Sequence, residues 1–103
     1  MHALLITYRT VGVTPEQVQA EIVAPATPFF AGHERLVSKV WLNDADAGSY
    51  GGFYVWRDRS DMEEFLGSPV FAKLTGAPFI TDVTTTDWPI EADASLATRG
   101  IPA

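Results

Sequence analysis

The spacing of apolar positions switches between a strand period and a helix period along this chain, and each switch marks an element. Residues 2–9, HALLITYR, are apolar, branched and aromatic over a short run, which predicts a strand. Val11-Gly12-Val13 turns the chain. Thr14-Pro15-Glu16-Gln17 then opens a helix, with Thr as the cap, Pro at the first helical position and Gln three residues after the cap. Val18, Ile22, Ala26 and Phe29 or Phe30 continue at helical spacing. Pro25 brings no N–H and crowds the preceding turn, so a kink is expected near residue 21 or 22, and Pro28 is expected to end the regular part.

Residues 35–43 and 50–57 alternate as strands, joined by the short loop Asp44–Ser49, so they should pair antiparallel. Ser60-Asp61-Met62-Glu63 has the spacing of a capping box, and Met62, Phe65 and Leu66 supply one helical face. Gly67-Ser68-Pro69 interrupts that helix. Pro69 can open another, carrying Val70, Phe71 and Leu74, with Gly76 and Pro78 ending it. Residues 79–87, rich in Thr, Val and Ile, read as the last strand. The order is β-α-β-β-α-β, an α+β, ferredoxin-like arrangement with a four-stranded antiparallel sheet and helices on one face. It spans residues 1–87. Residues 88–103 form a tail expected to pack through Trp88 and Ile90 on the domain or on a partner subunit. A monomer would leave the other sheet face bare, yet the strands are apolar on both sides. That predicts a second sheet, hence a homodimer.

Composition narrows the partners. The chain has 103 residues, enough for one domain, and its 47% hydrophobic content is ample for a core. Seven scattered basic residues against thirteen acidic ones give a net charge of −6, which argues against nucleic acid and against an anionic membrane surface. With no cysteine there is no thiolate chemistry, disulfide or Cys-bound zinc. No apolar run approaches a membrane span and no charged leader precedes the first strand, so the expectation is a cytoplasmic protein. No GxGxxG, P-loop or GxSxG occurs, and the two histidines, His2 and His33, have no metal-ligand spacing; no cofactor and no metal are expected.

The candidate chemistry concentrates on the predicted hairpin. Lys39, Trp41 and Asn43 share one face of its first strand; Gly52, Tyr54 and Trp56 share one face of its second. Whether the two faces coincide depends on the register, which a bulge at Gly51-Gly52 would shift. If they coincide, they form an aromatic wall bearing an ammonium and an amide. Otherwise the rings are core or interface bulk. Gly52 could leave room for a ligand, and Asn43, the only asparagine, could hold a carbonyl or simply end the strand. Tyr8 ends the first strand and could border the same pocket. Arg57, in Arg57-Asp58-Arg59, suits a solvated charge cluster better than a bound acid or phenolate. Asp82, inside the last strand, would be satisfied by Lys39 across the sheet, a better reading of it than a general base.

Lys39-Val40-Trp41, the ten-residue step to Gly51-Gly52, Phe53-Tyr54-Val55-Trp56, a proline at Pro25 and the tail after Asp87 together resemble the YdhR-type monooxygenase family of the dimeric α/β-barrel group. The resemblance implies a cofactor-independent monooxygenase acting on a small aromatic or polyketide-like molecule held between sheet and helices. In it Trp41, Tyr54 and Trp56 would form the wall and Tyr8, Lys39 and Asn43 the polar contacts; the base stays unassigned. Two alternatives remain: a cyclase, isomerase or lyase on a similar substrate, and a non-enzymatic small-molecule-binding protein.

Overall fold

The computed structural model describes all residues from Met1 to Ala103. Strand β1 (His2–Thr10) leads into α1 (Pro15–Val18), a π-helical turn (Gln19–Val23) and α2 (Ala24–Ala31). The hairpin β2 (Leu36–Asp44) and β3 (Ser49–Trp56) follows, then α3 (Arg59–Leu66), α4 (Pro69–Gly76), β4 (Ile80–Pro89) and α5 (Ala92–Ala97). The four strands form one antiparallel sheet in the order β2-β3-β1-β4. This is the expected α+β, ferredoxin-like architecture.

Thr14 caps α1 in full: its hydroxyl accepts from the Gln17 N–H, and the Gln17 side chain accepts from the Thr14 N–H. The kink expected from Pro25 takes the form of a π turn. Ala24 N–H donates to the Gln19 carbonyl, five residues back, so the ladder widens where Pro25 can donate nothing. Pro28 does not end the helix, as the sequence suggested. It lies inside α2, which runs on to Ala31 and places Phe30 against the sheet.

Ser60 is likewise not a cap. Helix α3 begins two residues earlier, after Asp58, and Glu63 pairs with Arg59 across one turn instead of reaching back to the backbone. A carboxylate four residues from a guanidinium has a partner that competes with the capping geometry. Ser68 does cap α4, accepting from the Phe71 N–H.

Leu4 and Ile6 of β1, Tyr54 and Trp56 of β3, Phe30 of α2, and Met62 and Phe65 of α3 make the main core. A second cluster joins Tyr8, Val18 and Tyr50. Both lie on the helix side. On the opposite side Val40 is opposite Phe53, which is opposite Leu5, and Val40 and Phe53 are exposed. Farther along that side Ala3 and Val55 are buried, and Ile101 of the tail is buried as well. Trp88 belongs to β4 itself and is 54% exposed, and just beyond the strand the Ile90 N–H donates to the Met1 carbonyl.

The suggested Asp82–Lys39 pair is excluded by strand order. β4 and β2 are opposite edges of the sheet. Asp82 sits exposed at a bulge beside β1, with φ +54°, where its short polar side chain tolerates a left-handed backbone.

Candidate functional site

The pairing register decides which side chains converge. Trp41 is opposite Gly52 and Lys39 is opposite Tyr54, so the two candidate faces of the hairpin coincide. The irregularity in this pair falls between Leu36 and Ser38, not at the glycines. Leu4 continues the Tyr54 row onto β1, Ile6 continues the Gly52 row, and Tyr8 lies opposite Tyr50.

A cavity of about 200 Å³ opens between this face and the helices. The sheet contributes Tyr8, Lys39, Trp41, Gly52 and Tyr54; α2 contributes Phe29 and Phe30; α3 contributes Phe65; and α4 contributes Phe71 and Leu74. Its volume lies below the ~300–1,000 Å³ range of drug-sized ligand sites, so it suits a guest of one or two rings. The lining is mostly apolar. Its polar groups are the amines of Lys39 and Lys73, the phenols of Tyr8 and Tyr54, and the Glu21 carboxylate.

Lys39 is the unusual member. Its Nζ donates to the Tyr54 hydroxyl at 2.9 Å and lies 3.7 Å from the centre of the Phe30 ring, 3.6 Å from that of Trp41 and 4.1 Å from that of Tyr54. It takes part in none of the ion pairs of the fold, which link His2 with Asp87, Arg35 with Asp61 and Glu64, and Arg59 with Glu63. Burial without a carboxylate pushes its pKa down from 10.5 to about 7. The ring faces act the other way, because their quadrupoles favour the cation. Near neutral pH the amine is thus poised between charged and neutral forms. Burial, with Tyr50 adding to it, pushes Tyr8 up to about 12; burial, with Tyr8 adding to it, also raises Tyr54. Both phenols therefore stay protonated at neutral pH and can donate.

Three of the sequence candidates are not brought into this cavity. Asn43 shares the face of Lys39 and Trp41 but sits at the far end of β2, opposite Tyr50 and beside the turn at Ala45–Ala47, where it is exposed. Trp56 lies one pleat beyond Tyr54, stacked on its ring at 6.1 Å and fully buried. Its Nε1 has no hydrogen-bond partner, and the His33 ring stands edge-on 5.1 Å away. Arg57 follows the end of β3 and is exposed. Gly52 lines the cavity, but the space above it is taken: a Cβ there would come within 3.0 Å of the Tyr54 ring.

The helical lining was not singled out from sequence. Lys73 follows Val70 by three residues, a spacing that makes the two neighbours on α4 and sets the exposed Lys73 at the rim of the cavity; that signal was available. The spacing left Phe29 and Phe30 open as the last inward position of the helix; the structure places Phe30 in the core and leaves Phe29 exposed.

The pattern of the family described as "Putative mono-oxygenase ydhR" matches residues 4–101, nearly the whole chain. The chain belongs to the ydhR family. No curated protein matches its sequence. Several solved structures share its fold. Rv0793 from Mycobacterium tuberculosis is 22% identical with a TM-score of 0.70, the match covering 91% of this chain and 98% of the other. SnoaB from Streptomyces nogalater, described as a cofactor-independent oxygenase, is 20% identical with a TM-score of 0.65, covering 87% of this ydhR-family chain and 93% of its own. NE2512 from Nitrosomonas europaea, a protein of unknown function, is 18% identical with a TM-score of 0.70, covering 88% and 89%.

Proposed function

We propose that this ydhR-family protein is a cofactor-independent monooxygenase of a small phenol or enol, with Lys39 as the ionising group of its site. The observation that carries this reading is an amine of depressed pKa, unpaired with any carboxylate, on the wall of an aromatic cavity. As the neutral amine, Lys39 takes a proton from the bound substrate. As the ammonium, it then faces the resulting anion at short range in a medium that screens little. The electron-rich carbon adds to O₂, forming a C–O bond and a peroxide. Loss of water from the peroxide leaves a carbonyl, so a CH₂ group and O₂ become C=O and H₂O. Tyr8 and Tyr54, protonated at neutral pH, are donors for the peroxide oxygen. Phe30, Trp41 and Phe65 hold the rings of the guest and keep water away. Family membership and the likeness to SnoaB support the reaction class.

The protein is further read as a homodimer joined through the bare side of the sheet, where Val40, Leu42 and Phe53 are exposed, with Trp88 packing at the edge of the same contact. An oxygen electrode tests the catalytic reading. With a two-ring phenol that has a CH₂ group in its keto form, oxygen uptake should require the protein and should fall about a hundredfold or more in Lys39→Met, the size of a lost general base. Turnover of the substrate without oxygen uptake would replace this reading with a cyclase or isomerase. Binding without turnover would leave a small-molecule-binding protein.

A further inference from the structure

Only two lysines occur in the chain, Lys39 and Lys73, and they occupy different environments around one cavity. Lys73 is exposed on α4, whereas Lys39 is packed among the rings of Phe30, Trp41 and Tyr54. Phe30, Lys39 and Trp41 also line a second, more open hollow of about 290 Å³, lined as well by Thr27 and Ala31 of α2 and by Ser38 at the edge of the sheet. The amine therefore stands in a partition, with an apolar cavity on one side and a wetter opening on the other. Its one hydrogen-bond partner is a phenol.

We propose that Lys39 is a nucleophile that condenses with an aldehyde or ketone on an aromatic guest in the main cavity, forming an imine. This goes beyond the oxygenase reading, since it needs neither O₂ nor an ionisable substrate. The neutral amine attacks the carbonyl carbon, and the C–N bond forms as the C=O π pair moves to oxygen. The Tyr54 hydroxyl, 2.9 Å from the amine, protonates that oxygen. The nitrogen returns that proton to Tyr54, which passes it to the hydroxyl; the hydroxyl leaves as water while the C=N bond forms, and the nitrogen gives its second proton back to Tyr54, so one carbonyl and one amine yield one imine and one water. The apolar lining retains the ring of the guest, and the opening toward Ser38 gives the water a way out. The other charged and titratable groups around the cavity are Tyr8 on β1, Glu21 on the π turn and Lys73 on α4.

The probe is benzaldehyde, added to the whole protein with cyanoborohydride, which reduces an imine to a stable amine. Adduct sites are read by peptide mass mapping. At neutral pH Lys39 should be labelled on the order of a hundredfold faster than Lys73, because its amine stands beside a proton donor in the cavity that retains the ring of the aldehyde. Labelling should persist without oxygen. Tyr54→Phe, which removes one oxygen atom, should slow it about tenfold or more, the size of a lost proton donor. Lys39→Arg should abolish the fast phase, with its circular dichroism checked against the parent. Labelling confined to Lys73 or the terminal amine of Met1, equal rates at the two lysines, or no adduct at all would overturn the proposal. The oxygen-electrode result stands apart from each of these outcomes.

Discussion

The ring of Tyr54 lies over Gly52, two residues before it on the same strand, so closely that a methyl group on Gly52 would come within 3.0 Å of the ring. The glycine positions the tyrosine. Its missing side chain lets the ring lie flat along the sheet, which brings the hydroxyl under the Lys39 amine at 2.9 Å. Gly51 has a different reason for being glycine: a Cβ there would meet the Ile6 carbonyl oxygen of the neighbouring strand at 2.1 Å.

The two glycines should therefore respond differently to alanine. Gly51→Ala forces backbone against backbone and should cost about 3 kcal/mol, the upper end of ordinary overpacking. Gly52→Ala can be relieved by swinging the Tyr54 ring and should cost about 1 kcal/mol, while lifting the hydroxyl away from Lys39. Urea unfolding gives the first comparison. Loss of the fast Lys39 labelling in Gly52→Ala gives the second.

The two hairpin tryptophans should separate in the same way. Trp56 is fully buried in the core, so Trp56→Ala should destabilise by about 3–5 kcal/mol. Trp41 is half-buried on the cavity wall, and Trp41→Ala should cost about 1–2 kcal/mol while weakening ligand binding. Equal losses at both positions would mean that Trp41 is core and that the cavity wall lies elsewhere.

Stability should climb with pH above neutrality. Lys39 releases its proton at about pH 7 in the folded protein and at the ordinary 10.5 when unfolded, so between those values the unfolded chain holds more protons. Raising the pH through that window favours the fold. Tyr8 has the opposite sign: its folded value is raised from 10.0 to about 12, so its contribution is present below 10 and lost as pH rises toward 12. The urea midpoint of the parent should rise from pH 7 and level off near pH 10, and the Lys39→Met midpoint should lack the rise. Activity that depends on the neutral amine should increase through about pH 7 and then plateau.

A charge on the bare side of the sheet should dissociate the proposed dimer. Phe53 points away from the helices beside Val40 and Leu5. Phe53→Glu should leave the folded subunit intact and give the mass of a monomer in sedimentation, whereas the parent should sediment as two chains. A monomeric parent would end the dimer reading without touching the cavity.

Element order, strand extents and antiparallel pairing were written in local pattern. The Thr14-Pro15-Gln17 cap, the Ser68-Pro69 start and the alternation through β2 and β3 act over a few residues, so the sequence displays them. The same alternation put Lys39 with Trp41 and Gly52 with Tyr54. Asn43 and Trp56 obey it too, yet one is exposed at a strand end and the other sealed in the core. Alternation fixes the face of a residue, whereas its distance from the helices along the strand sets its surroundings. The Asp82–Lys39 pairing failed because strand order is a property of the whole sheet, and β4 completes it at the edge far from β2.

What the chain determined by itself was the order of the strands and of the helices between them, though not α5 in the tail, and the side of the sheet on which the aromatic and basic groups stand, since capping and pleat depend on near neighbours. What tertiary structure alone decided was the state of Lys39. Its amine meets Phe30 only where α2 packs against the sheet, and it meets Tyr54 only in one register of the hairpin. Desolvation is produced by atoms distant in sequence, so no local pattern could have disclosed an amine that gives up its proton near neutral pH.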